Sequence, residues 1–285
     1  MAAVATEAMR EVAEVYSAYC HQIEDNFEDF VRNTQETLAE ASTKTIETVR
    51  DADSTTDELI TAVRETCEVN TPRRAVVEIY AWASVTAAAS MIGTFMGYTI
   101  LAPLLSYFTG TFSAATLGFL IIPLSAHFLF RSYDDDPRYA DRESDSNLRY
   151  LSLGLCMLQG AFNGHVIHNI YITGQPPLFL TPTAIAYSFA YMPEGAGKNR
   201  VAQLSFSISS ALAANIFIGA ITGSLTAPYY FLSIGYCAVA GFMMQVIFRK
   251  VHRQTSLHSF QHAVTSLLIT VKGLFFLLFG SYVYS

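Results

Sequence analysis

From Ala75 onward the chain reads as about seven apolar stretches joined by short connections, and the connections alternate in charge. Connections 102–112, 173–177 and 223–228 hold no Lys or Arg. Connections 131–149, 193–200 and 249–253 hold Arg131, Arg138, Arg142, Arg149, Lys198, Arg200, Arg249, Lys250 and Arg253. Inserting spans keep Lys and Arg on the cytosolic face, so this alternation predicts a polytopic helical membrane protein and also its orientation. The N-terminus, followed by Arg73 and Arg74 before the first span, falls on the cytosolic side.

The expected spans are 75–100, 113–130, 150–172, 178–192, 201–222, 229–248 and 262–284. Each is near the ~20 residues that cross ~30 Å of hydrocarbon. The fourth is the shortest; it follows Pro176-Pro177 and contains Pro182, which predicts a kink or tilt. The seventh reads either as a full crossing or as a segment that dips and returns. The fold class expected is all-α: six to seven transmembrane helices in a compact bundle, preceded by a helical cytosolic segment.

Charge divides the chain in two. Residues 1–74 hold 16 acids and 7 bases, whereas residues 75–285 hold 8 acids and 10 bases. The 91 residues after Glu194 contain no Asp or Glu, which a soluble domain of that length would need on its surface. No apolar signal-peptide core precedes the first span, so that span is expected to act as the targeting signal. Cys20, Cys67, Cys156 and Cys237 stand singly, with no zinc spacing and no disulfide framework.

Two units follow: an acidic helical segment, 1–72, and a transmembrane domain, 73–285. In the first, Val12, Tyr16, Tyr19, Ile23, Phe27 and Phe30 form one helical stripe beside Glu24, Asp25, Glu28 and Asp29. A weaker stripe runs Leu38, Ile46, Val49, then Leu59, Ile60 and Val63. This segment reads either as a partner-binding or self-associating helix, or as a solvated hairpin leaning on the membrane domain. Its acidity disfavours anionic lipid and nucleic acid as partners.

Glycines recur at helix-packing spacing: Gly93/Gly97, Gly160/Gly164 and Gly219/Gly223. Such spacing lets backbones approach where hydrophobicity no longer drives helix association. The polar residues inside expected spans are the candidate functional set. Lys272 is the one base well within a span, costly unless it snorkels or finds a partner. Glu78, one turn into the first span, reads as a partner for Lys272 or Arg74, or as an interfacial acid. His165 and His168, three apart, share a face with Asn163 and Gln159 and read as a proton- or metal-responsive pair or as hydrogen-bonded core histidines. A metal would need a third ligand; His127 is the other candidate and is expected on another face, so no metal site and no cofactor are assigned. The six acids of 133–145 lack the glycine and spacing of a calcium loop. No nucleophile–His–acid set, phosphate loop or dinucleotide fingerprint is present, and no enzymatic activity is expected.

Several stretches resemble the Bax inhibitor-1 family. Leu158-Gln159-Gly160-Ala161 with Gly164 resembles its third-span "LQGA..G" element. Thr183-Ala184-Ile185-Ala186-Tyr187 with Phe189 resembles "TAIAF.CF", Gly241-Phe242 resembles "CGF", and His262-Ala263-Val264-Thr265 resembles the opening of the last segment. They are collinear over about 71–285. The resemblance implies a protein of the endoplasmic reticulum membrane that restrains programmed cell death, contacts Bcl-2-type regulators and affects reticulum calcium. The family's paired-aspartate latch would fall at Val246 and at Thr265 and Ile269, none of them acidic, so the latch is missing. Two other functions compete: an ion channel or carrier using Lys272, Glu78 and the histidines, and a membrane adaptor that recruits a cytosolic partner through 1–72.

Overall fold

A computed structural model describes residues 2–25, 72–134, 142–168, 170–192, 199–251 and 257–282. Phe27, Phe30, the second stripe from Leu38 to Val63, Cys67, Lys198, Arg253 and most of the acidic loop lie outside the described residues. The chain that is described is nearly all helical. In chain order the elements are α1 (Ala2–Asp25), α2 (Arg73–Thr99), α3 (Ala102–Phe108), α4 (Thr111–Thr116), a π-helical turn (Leu117–Ile121), α5 (Ile122–Asp134), α6 (Arg142–Val166), β1 (Ile170–Tyr171), α7 (Leu180–Ala190), α8 (Arg200–Ile221), α9 (Ala227–Lys250), α10 (His258–Phe279) and β2 (Ser281–Tyr282).

Among the described residues, five helical stretches are long and apolar enough to cross a membrane: α2, the run from Thr111 to Phe130, α8, α9 and α10. They correspond to the first, second, fifth, sixth and seventh expected spans. The other two differ for physical reasons. α7 has only 11 residues, about 16 Å of helix, because Pro176-Pro177 are followed by a turn and the helix begins only at Leu180. α6 is 25 residues long but carries Asn147, Arg149, Gln159, Asn163 and His165, and it is lined by α2, α4, α5 and α10. A helix surrounded by other helices needs no continuous apolar surface. The seventh segment is one unbroken helix of 22 residues, about 33 Å, with no reversal. Its end adds a feature outside the all-α expectation: Ile170 pairs with Tyr282 and Tyr171 with Ser281 in a two-residue antiparallel ladder.

α2 is the axis of the bundle. It packs on α6, α7, α10 and α1, and it is apolar or small on every side, with Val76, Ile79, Tyr80, Trp82, Ala83 and Ala87 all buried. Its closest neighbour is α6, and glycine sets that contact. A methyl group added at Gly93 would fall on the Met157 carbonyl, and one at Gly97 on the Ala161 carbonyl. Reciprocally, Gly160 faces the Ser90 carbonyl and Gly164 the Thr94 carbonyl. Gly219 is also filled against, by Tyr229 and Leu225, but Gly223 lies beyond the end of α8 with φ of 65° and open space around it. It serves the turn and packs on no helix.

Local chemistry fixes the helix ends. Asn199 caps α8, its side-chain oxygen accepting from the amides of Val201 (3.1 Å) and Ala202 (3.2 Å). Thr226 caps α9, with Pro228 inside the first turn. The π-turn precedes Pro123, which has no N–H to give Phe119; the Ile122 amide instead reaches back five residues to Leu117. Phe119 is thereby set against Gly273 of α10.

Candidate functional site

Among the described residues, the polar side chains singled out in the sequence fall at three different levels of the bundle. At the level of Glu78 and Trp82, α1 docks onto α2 and α7 through Val12, Tyr16 and Tyr19. The Tyr19 ring meets Trp82 edge-on at 4.6 Å between centroids. Arg149 of α6 lies over both rings, 4.8 Å from Tyr19 and 5.5 Å from Trp82, and donates to the Glu78 carboxylate at 3.1 Å. The Tyr16 hydroxyl is hydrogen-bonded to Ser84. Burial pushes the Tyr16 phenol above its usual value, partly offset by hydrogen bonding to Ser84 and Thr183. Glu78 is therefore committed to Arg149. The stripe expected along the first helix is the face that docks, and Glu7, Arg10, Glu14, Ser17 and His21 remain exposed on the other face.

Two described arginines at helix starts, Arg73 and Arg200, also join helix ends. Arg73 donates to the Phe189 carbonyl at 3.2 Å, joining the start of α2 to the end of α7. Arg200 donates to the Gln245 side chain at 2.6 Å and to its carbonyl at 3.0 Å, joining the start of α8 to the last turns of α9.

In the middle lies a polar seam between α2, α6 and α10. The Thr86 and Thr265 hydroxyls are 2.7 Å apart. Gln159 donates to the Ser266 carbonyl at 3.3 Å, and the Ser266 hydroxyl meets the His262 ring. Asn163 is fully buried with neither amide atom hydrogen-bonded, and the carbonyl oxygen of Gln159 is likewise unmatched. The sequence pattern brought Gln159, Asn163 and the two nearby histidines onto one polar stripe. The structure separates them: Asn163 and His165, two residues apart, lie about 200° from each other around the helix axis, and His168 falls past the end of α6 at Val166. His165 is buried with Nε2 3.3 Å from the Thr109 carbonyl, and His168 is exposed with Nδ1 2.8 Å from the Tyr98 carbonyl. His165 thus ties the end of α6 to Thr109 after α3, and His168, just past α6, meets the last turn of α2. Among the described residues no three His, Cys, Asp or Glu side chains group as metal ligands.

The third level holds Lys272. It is 6% exposed and lines a cavity of about 340 Å³ between α2, the segment after α6, and α10. It is not brought to Glu78, whose partner Arg149 lies at the opposite end. A single intramembrane network of Lys272, Glu78, His165 and His168 is thus not formed. What sequence reasoning missed was Arg149 as the organiser of the α1 dock; its signal was a base standing immediately before the apolar run that opens at Tyr150.

A family described as Interactor of ZYG-11 matches residues 2–282. No curated protein and no solved structure matches the chain. The family match overturns the resemblance to Bax inhibitor-1 and, with it, the expected roles in cell death and reticulum calcium. The quoted elements are explained by packing. Gly160 and Gly164 are where α6 touches α2, and Ile185, Ala186 and Phe189 are buried residues of a short helix on which Tyr187 stays exposed. Val246, Thr265 and Ile269 are not vacated latch positions. Val246 and Ile269 are buried apolar residues, and Thr265 bonds to Thr86 and to the Ala83 carbonyl at 3.1 Å.

Proposed function

The chain belongs to the Interactor of ZYG-11 family, and on that premise we propose that it is a multi-pass membrane adaptor that recruits a ZYG-11-type protein to the cytosolic face of a membrane. The observation that carries the reading is the extent of the family match, residues 2–282, which joins α1 and the apolar helices in one unit. A partner-binding segment fused to five helices of spanning length has the composition of an anchored adaptor. The positive-inside rule puts α1 and the basic connections in the cytosol.

The docked α1 supports the same reading. Its apolar stripe is used by the bundle, so the helix offers a partner its other face. That face is polar and ordered, with Arg10 donating to Glu14 at 2.9 Å. A surface held by Tyr19, Trp82 and Arg149 is pre-organised, which lowers the ordering cost of binding. The role is recruitment and not catalysis. The reticulum is not part of the proposal, because its support was the overturned resemblance.

The test uses the full chain in phosphatidylcholine nanodiscs and purified ZYG-11. Capture by the intact chain, lost on deletion of residues 2–71, is the expected result. Capture that survives the deletion would move the binding surface to the basic connections. No capture by the folded, intact chain would end the adaptor reading.

A further inference from the structure

The cavity at Lys272 has a composition that no packing role explains. Its walls are mainly apolar: Met91 and Phe95 from α2, Ile167 and Ile172 after α6, and Phe276 from α10. Against them stands one nearly buried ammonium for which no hydrogen bond or ion pair is described. Residues 195–285 hold no Asp or Glu. Glu78 is spent on Arg149 at the other end of the bundle. An ammonium taken out of water without a partner is expensive, and helical membrane proteins keep such groups where they meet something.

We infer that this cavity binds a single-chain carboxylate amphiphile, a fatty acid, with its carboxylate on Lys272 and its chain along the Met91–Phe276 wall. The charge of the cavity selects the head group. One ammonium in a lining whose other polar side chains, Thr94, Tyr98, Tyr171 and Gln175, are neutral matches a monoanion. A phosphate monoester dianion would call for further donors, of the guanidinium kind, that are absent from this lining. The walls select an apolar body. The volume, about 340 Å³, is at the low end of ligand pockets, so it takes the head and first part of the chain. Phe95, on the cavity wall, is 65% exposed on the outer surface of the bundle, which gives the remainder of the chain a route to lipid.

The site is independent of ZYG-11 and is tested without it. The full chain in phosphatidylcholine nanodiscs is irradiated with a diazirine-bearing palmitic acid, with the matched diazirine alcohol, and with a diazirine lysophosphatidate. Labelled peptides are then mapped by mass spectrometry. A charge-assisted contact predicts about tenfold more labelling of 91–98 and 272–276 by the acid than by the alcohol. Lys272→Arg keeps that preference and Lys272→Met abolishes it. Met91→Trp, which leaves the cation and fills the cavity, abolishes labelling by the acid in the folded protein. Equal labelling by acid and alcohol, a preference that persists in Lys272→Met or in Met91→Trp, or a preference for the lysophosphatidate would each overturn the assignment.

Discussion

Arg149 and Glu78 meet 3.1 Å apart where α1, α2 and α6 converge, and the same guanidinium covers the rings of Tyr19 and Trp82. One side chain thus joins a helix of the bundle to the helix docked on it. Trp82 is the only tryptophan of the chain, so the dock carries its own reporter.

Arg149→Ala should loosen α1 without unfolding the bundle. It removes a partly shielded charged hydrogen bond and two cation–π contacts, together about 2 kcal/mol. The expected signature is a red-shifted Trp82 emission and faster hydrogen exchange in residues 2–25, with exchange in α2 and α10 unchanged. Global unfolding, or no change in either signal, would contradict the assignment of Arg149 to the dock.

Glycine substitutions should separate by position. Gly160→Ala places a methyl on the Ser90 carbonyl, which cannot move without displacing α2, and costs about 1–3 kcal/mol or more. Gly110→Ala, where the nearest atom to an added methyl is Ser113 Oγ at 4.0 Å, should be near neutral. Thermal midpoints in one detergent compare the two. Equal midpoints would mean that α2 and α6 do not depend on close backbone approach.

Much of this was readable from particular residues, and the failures have identifiable causes. Val12, Tyr16 and Tyr19 advertise a helical stripe at three- and four-residue spacing, and the helix docks by it. The spacing of Gly93/Gly97 and Gly160/Gly164 is visible in the sequence, but that the two pairs face each other is a tertiary fact. Gly219/Gly223 has the same spacing, yet Gly223 falls in the connection 223–228, past the helix end, where its positive φ serves the turn. Pro176-Pro177 signalled trouble in the fourth span, but only the structure shows how little helix remains. The family misreading came from the same source as the packing: small-residue elements such as Leu158-Gln159-Gly160-Ala161 are reused wherever helices approach closely.

Tyr16→Phe should leave docking nearly intact near neutral pH, since one hydrogen bond is worth about 1 kcal/mol. Above pH 10 it should outlast the wild type. Burial raises the Tyr16 phenol above its unfolded value of 10.0, so the undocked helix releases that proton first. Its contribution is complete below pH 10 and is lost as the pH climbs through the docked value. Titration of Trp82 emission should show an alkaline undocking step in the wild type that is shallower in Tyr16→Phe. Identical titrations would show that Tyr16 does not govern the step.

Lys272→Met tests how the bundle tolerates its unpaired cation. Lys272 is seven residues from the last residue of α10, about 10 Å along the axis, too deep for its stem alone to bring the ammonium to water beyond the helix end. Replacing an unpaired buried charge with an apolar side chain of similar length should therefore stabilise the protein by about 1–4 kcal/mol in lipid-stripped neutral detergent. Added palmitate should then raise the midpoint of the wild type and leave Lys272→Met unchanged, since a ligand stabilises only the state that binds it. A variant no more stable than wild type in the stripped sample would mean that Lys272 already has a partner or reaches water through the cavity. A palmitate response shared by both proteins would show that the acid acts on the bilayer-facing surface and not at Lys272.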